Sequence, residues 1–210
     1  MLTLPECHRI LAELEEPYRT MVALSIATGL RCSELFALKW GDFDWENSIM
    51  FVQRAIVDGV VNEVKTKYSK AGLPLDPALA TIMLRWKARS KFTNDEDWVF
   101  ASWRAFGKKP FRPTSILQRV LKSAAQRAGL GLIGRHTFRR TFSTLLRGNG
   151  EDIKVQQELM RHADIRTTMN LYTQANSDQK RQAHRRIVGM VLTGEATACS
   201  PVLPRPFGSS

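Results

Sequence analysis

Hydrophobic periodicity changes twice along this chain, and a fold must accommodate both changes. Leu2 to Leu14 has the spacing of an amphipathic helix opened by Thr3-Leu4-Pro5-Glu6, with Thr3 as cap and Glu6 placed to return the bond. A second helix starts near Pro17 and breaks at Thr28-Gly29, and a short third covers Cys32 to Leu38. The period then falls to that of a strand. Ile49 to Val52 and Gly59 to Val64 read as strands flanking an Asp58-Gly59 turn. Leu73-Pro74-Leu75 reads as a third strand, kept at an edge by its proline. From Pro77 helical spacing returns over about 77–90, 113–128, 137–148, 152–161 and 177–191. The expected fold class is α+β, mainly α-helical, with a small antiparallel three-stranded sheet near residues 48–76. One domain over 1–192 and a disordered tail over 193–210, where Pro, Gly and Ser replace periodicity, complete the expectation.

Charge narrows the function. Residues 98–150 hold 11 basic side chains and no carboxylate, whereas residues 1–97 hold 12 basic and 14 acidic ones. Such a segment attracts polyanions, of which nucleic acid is the commonest. Hydrophobic residues at 43% suffice for a core. No run reaches the roughly 18–20 apolar residues of a membrane span, and the first fifteen residues lack the apolar stretch of a secretory signal. Cys7, Cys32 and Cys199 are scattered and odd in number, which disfavours a disulfide framework or a cysteine-built zinc site. The chain therefore reads as cytoplasmic, with no membrane partner.

Five strings stand out once a phosphodiester is the suspected partner: residues 28–35, Lys65-Thr66, His136 to Arg140, Arg161 to Asp164, and Thr167 to Tyr172. Cleaving DNA without a metal needs a nucleophile, cations on the non-bridging oxygens and a proton donor for the leaving oxygen. Guanidinium suits those oxygens because its planar fork binds them in pairs and stays charged, so Arg31 and Arg139 are candidates. His136 and Arg139, three apart on one helix, share a face. Each of these residues alone also fits a plain structural role, as an exposed cation, a helix cap or a half-buried aromatic.

Their occurrence together and in order resembles the tyrosine recombinase (phage integrase) family, specifically its C-terminal catalytic domain. TGLRCSELFALKWGDFDW is similar to the family's first arginine box, and VKTKYSKAGLPL to the hairpin carrying its lysine. HTFRRTFSTLL resembles the second arginine box, and ELMRHADIRTTMNLYTQ the histidine-to-tyrosine box. The likeness runs over roughly residues 2–190.

The resemblance implies the roles that follow. Tyr172 attacks the scissile phosphate and forms a 3′-phosphotyrosyl link, while Arg31 and Arg139 hold the non-bridging oxygens. His162 adds a hydrogen bond to the phosphate, Lys65 protonates the departing 5′ oxygen, and His136 takes or relays the tyrosine proton. Glu34 supports Arg31 by fixing its neighbours. No cofactor and no metal is implied; the partners implied are double-stranded DNA and further copies of the chain, as a tetramer on synapsed DNA.

The chain also departs from the family. Phe138 and Arg140 stand where leucine and histidine are usual, and Arg161 replaces a common glycine, making Arg140 and Arg161 candidate DNA contacts. His162 and Tyr172 are ten apart where nine is commoner. The likeness to the catalytic domain begins already at Thr3, so the family's usual N-terminal core-binding domain is expected to be absent. Those departures leave two alternatives to a site-specific recombinase: a DNA-binding module that no longer recombines, and a type IB topoisomerase-like nicking and closing activity.

Overall fold

The computed structural model describes residues 1–63 and 72–161. Helix α1 (Leu4–Ala12) is entered as its sequence dictates, with the Thr3 N–H donating to the Glu6 carboxylate at 2.8 Å and the Thr3 hydroxyl donating to the same oxygen at 2.9 Å. Helix α2 (Tyr18–Thr28) runs through the centre, burying Met21, Val22, Leu24 and Ser25. It stops at Gly29, whose φ of 60° places it in the left-handed region. One turn of helix, α3 (Cys32–Leu35), follows; it ends earlier than the expected Leu38 because Ala37 and Leu38 pass directly into the core in non-helical backbone.

The sheet region is built differently from its expectation. Strands β1 (Phe43–Asp44), β2 (Ile49–Phe51) and β5 (Gly72–Pro74) make an antiparallel three-stranded sheet in the order β1-β2-β5, with Met50 opposite both Phe43 and Leu73. A separate hairpin pairs β3 (Arg54–Val57) with β4 (Val60–Glu63). The strand entering the Asp58-Gly59 turn is therefore Arg54–Val57, and Ile49–Phe51 belongs to the other sheet. Turn geometry explains the correction. Asp58 and Gly59 have φ of 51° and 80°, as a two-residue loop with both central residues left-handed requires, and such a loop pairs the residues directly beside it, Val57 and Val60. Val52, fully buried, separates the two sheets. The proline-bearing β5 is an edge strand.

Helix α4 (Pro77–Arg89) is capped by Asp76, which accepts from the Ala78 N–H at 2.8 Å. The helical stretch expected over 113–128 comprises α5 (Pro113–Ile116), a wide π-type turn over Leu117–Leu121, and α6 (Lys122–Arg127). Helices α7 (Thr137–Gly148) and α8 (Ile153–Leu159) close the described structure. Helix α2 packs on α1, α4 and α7, and the core around it includes Ile10, Leu24, Trp40, Met50, Met83 and Phe100. The N–H of Leu2 donates to the Thr141 hydroxyl at 2.9 Å, fixing the first residues to α7. The helix expected over 177–191 and the tail over 193–210 lie outside the described residues.

Candidate active site

Three segments distant in sequence meet where α2 ends. Gly29 lets α7 approach, since a Cβ there would lie 2.3 Å from Cδ1 of Phe142. That contact sets Arg139, one turn earlier on α7, under the α2–α3 corner. Nη1 of Arg139 donates to the Gly29 carbonyl and Nη2 to the Met160 carbonyl, each at 2.5 Å. Arg139 is thus a buried clasp between the end of α2 and the end of α8.

Arg31 stands at the N-terminus of α3. Its backbone N–H donates to Oε2 of Glu34 at 2.8 Å, and its Nη1 donates to Oε1 at 2.8 Å. Spacing of three residues at a helix start brings this about, because the side chain at the third position reaches back to the cap. The Arg31 side chain remains 39% exposed while that of Glu34 is 4% exposed. Arg161 completes the cluster from the far side: its guanidinium is entirely buried and its Nη2 donates to Oε2 of Glu34.

Three guanidiniums against one carboxylate give the cluster an excess of positive charge, which bears on the ionisation of each member. Burial, then repulsion from Arg31, lowers the pKa of Arg139, with Glu34 opposing and Arg161 adding to the repulsion. Burial likewise lowers that of Arg161 against the attraction of Glu34. Glu34 moves the other way from what burial alone dictates. Desolvation pushes its carboxyl up, but Arg161, Arg31 and the bonds from Arg31 together hold it below the ordinary 4.5. A cluster of this kind favours an oxyanion, which supplies the missing negative charge.

His136 is exposed at the start of α7, and among the described residues no hydrogen bond joins its ring to the cluster. Arg140 is exposed on the same helix. Arg161, expected as a DNA contact, has its side chain inside the protein on Glu34. Lys65, His162 and Tyr172 lie outside the described residues. The carbonyls of Gly29 and Met160, which receive Arg139, have no signal in the sequence, because an acceptor on the backbone leaves no trace in residue type. Among the described residues no group of three His, Cys, Asp or Glu gathers as metal ligands, and no helix is long and apolar enough to cross a membrane.

The model of the phage integrase family matches residues 1–179. This chain belongs to the phage integrase family. Among curated members, tyrosine recombinase XerA of Pyrococcus furiosus is 30% identical over 168 residues, covering 80% of this chain and 54% of XerA. The chain spans about half the length of the curated relatives it matches. Its fold is that of solved family structures. The Tn1549 transposon integrase, solved with transposon right end DNA, superposes with a TM-score of 0.76 at 23% identity over 89% of this chain and 65% of that one. The catalytic domain of bacteriophage HP1 integrase matches with a TM-score of 0.56 at 20% identity, over 88% of this chain and 93% of that domain. A phage integrase family catalytic-domain fold, α+β and mainly helical, thus carries the arginine cluster.

Proposed function

We propose that this chain is the catalytic part of a site-specific DNA recombinase, cleaving and rejoining double-stranded DNA through a 3′-phosphotyrosine at Tyr172. The observation that carries the reading is the meeting of Arg31 and Arg139, from segments 108 positions apart, in a cluster with more guanidinium than carboxylate. A phosphodiester has the charge and the paired oxygens such a cluster lacks. In this reading Arg31 and Arg139 bind the non-bridging oxygens, and Glu34 orients Arg31. The Tyr172 oxygen bonds to phosphorus as the bond to the 5′ oxygen breaks. Lys65 gives its proton to that oxygen, His136 receives the phenol proton, and His162 donates a hydrogen bond to the phosphate. Reversal of the same transfers rejoins a strand, because the phosphotyrosyl ester conserves the broken bond.

A free phenol has a pKa of about 10, so neighbouring cations must favour its ionised form at neutral pH. Removing one guanidinium is expected to slow cleavage by about 10²–10³-fold. Four copies acting on two synapsed duplexes, in the cytoplasm where such DNA is found, would complete an exchange. The test is a denaturing gel of the protein and its Tyr172→Phe variant with nicked duplexes in EDTA. The parent is expected to give covalent adduct and the variant none, with duplex binding on a native gel nearly equal. Comparable adduct from Tyr172→Phe would remove this tyrosine from the mechanism.

A further inference from the structure

Arg161 occupies a backbone position that favours glycine. Its φ is 50°, in the left-handed region, where a residue bearing a Cβ sits only at a cost. Its side chain has no solvent exposure. Two of its three guanidinium nitrogens, Nε and Nη1, are buried without a hydrogen-bond partner among the described residues. Only Nη2 is engaged there, on Glu34. A buried, half-satisfied guanidinium on a strained backbone opposes folding on every count, so its charge is what sets it apart from a glycine.

Glu34 is where that charge is spent. Among the described residues its other ties run to Arg31, through the backbone N–H and Nη1. Arg31 has the most exposed side chain of the cluster, at 39%, and is the guanidinium best placed to meet an anion from outside. Were Arg31 the sole counter-ion, the carboxylate that positions it would also cancel it. A second cation on the inner side resolves the conflict. We propose that Arg161 is a positioning residue, the inner counter-ion of Glu34, which lets the carboxylate aim Arg31 at the scissile phosphate without neutralising it. The proposal rests on the strand-cleavage reading above. The two unpartnered nitrogens accord with it, since a group held for its charge on one carboxylate needs no full set of bonds.

Charge and shape can be separated by substitution. Arg161→Gln removes the charge and keeps much of the length, while Arg161→Lys keeps the charge. Adduct formation is expected to slow about tenfold in Arg161→Gln and to stay within about threefold of the parent in Arg161→Lys. Combining Glu34→Gln with Arg161→Gln removes both charges and leaves Arg31 a neutral acceptor; this double variant is expected to be faster than Arg161→Gln alone. Lysine as slow as glutamine, or a double variant no faster than Arg161→Gln, overturns the proposal, since packing alone predicts both. Should Arg161→Gln fail to fold, Arg161→Lys is judged against the parent, and a lysine variant about tenfold slower or worse overturns the proposal. Urea denaturation supplies a readout apart from catalysis: double-mutant cycles are expected to couple Glu34 to Arg161 more strongly than to Arg31, and the opposite order overturns the proposal. A parent without adduct counts against the strand-cleavage reading, and the cycles then judge Arg161 alone.

Discussion

Glu34 gathers an N–H and a guanidinium from Arg31 and a second guanidinium from Arg161, and its titration should be visible in the stability of the whole protein. Its folded pKa is held below 4.5, so the stabilisation is fully present above that value and disappears as pH falls through the lower folded one. Glu34→Gln is expected to lower stability by about 3 kcal/mol at pH 7, as when one member of a buried pair is removed. The gap between parent and variant should narrow in acid, and a gap constant from pH 7 down to pH 3 in urea denaturation would contradict this account. Arg31, Glu34 and Arg139 stand out in the sequence only as parts of strings that resemble the family's boxes in order, because each alone also fits a plain structural role. Arg161 is legible only as a cation. Its burial depends on a carboxylate 127 positions upstream, and nothing in the local string announces that partner.

Among the elements, α4 and α7 lie where their spacing puts them, over Pro77–Arg89 and Thr137–Gly148, because three or more turns of amphipathic pattern outweigh local ambiguity. Strands of two to four residues carry too little alternation for that, and the assignment of Ile49–Phe51 turned on pairing partners outside its own string. The wide turn at Leu117–Leu121 was equally hidden, since one extra residue per turn barely alters an apolar pattern over five positions. The junction of α2 with α7 is open to a direct test. Alanine at Gly29 would need both a left-handed φ and space that the Phe142 ring fills. Gly29→Ala is expected to cost about 2–4 kcal/mol, combining backbone strain with overpacking. Because the Gly29 carbonyl also receives Arg139, adduct formation should fall at temperatures where the variant remains folded. A thermal midpoint equal to the parent's would show that this corner yields more readily than its packing suggests.

At the scale of the molecule, ten of the eleven basic residues in 98–150 are exposed and the eleventh is Arg139. On the proposed reading, a surface so charged would hold DNA by its phosphates and displace their counterions, so binding should weaken steeply with salt. Affinity for a duplex is expected to fall about a hundredfold or more between about 50 and 200 mM salt, measured by fluorescence anisotropy. Affinity unchanged over that range would mean that the basic segment is not the contact. The sequence made this charge plain because it is a count, whereas the cluster at the α2 corner required the fold. Arg139 spans that fold, reaching back 110 positions to Gly29 and forward 21 to Met160. A chain growing from its N-terminus holds Arg31 and Glu34 early, but the clasp has no second anchor until Met160 has been made. An unfinished copy therefore carries both arginines without the clasp's second anchor, which arrives just past three-quarters of this sequence.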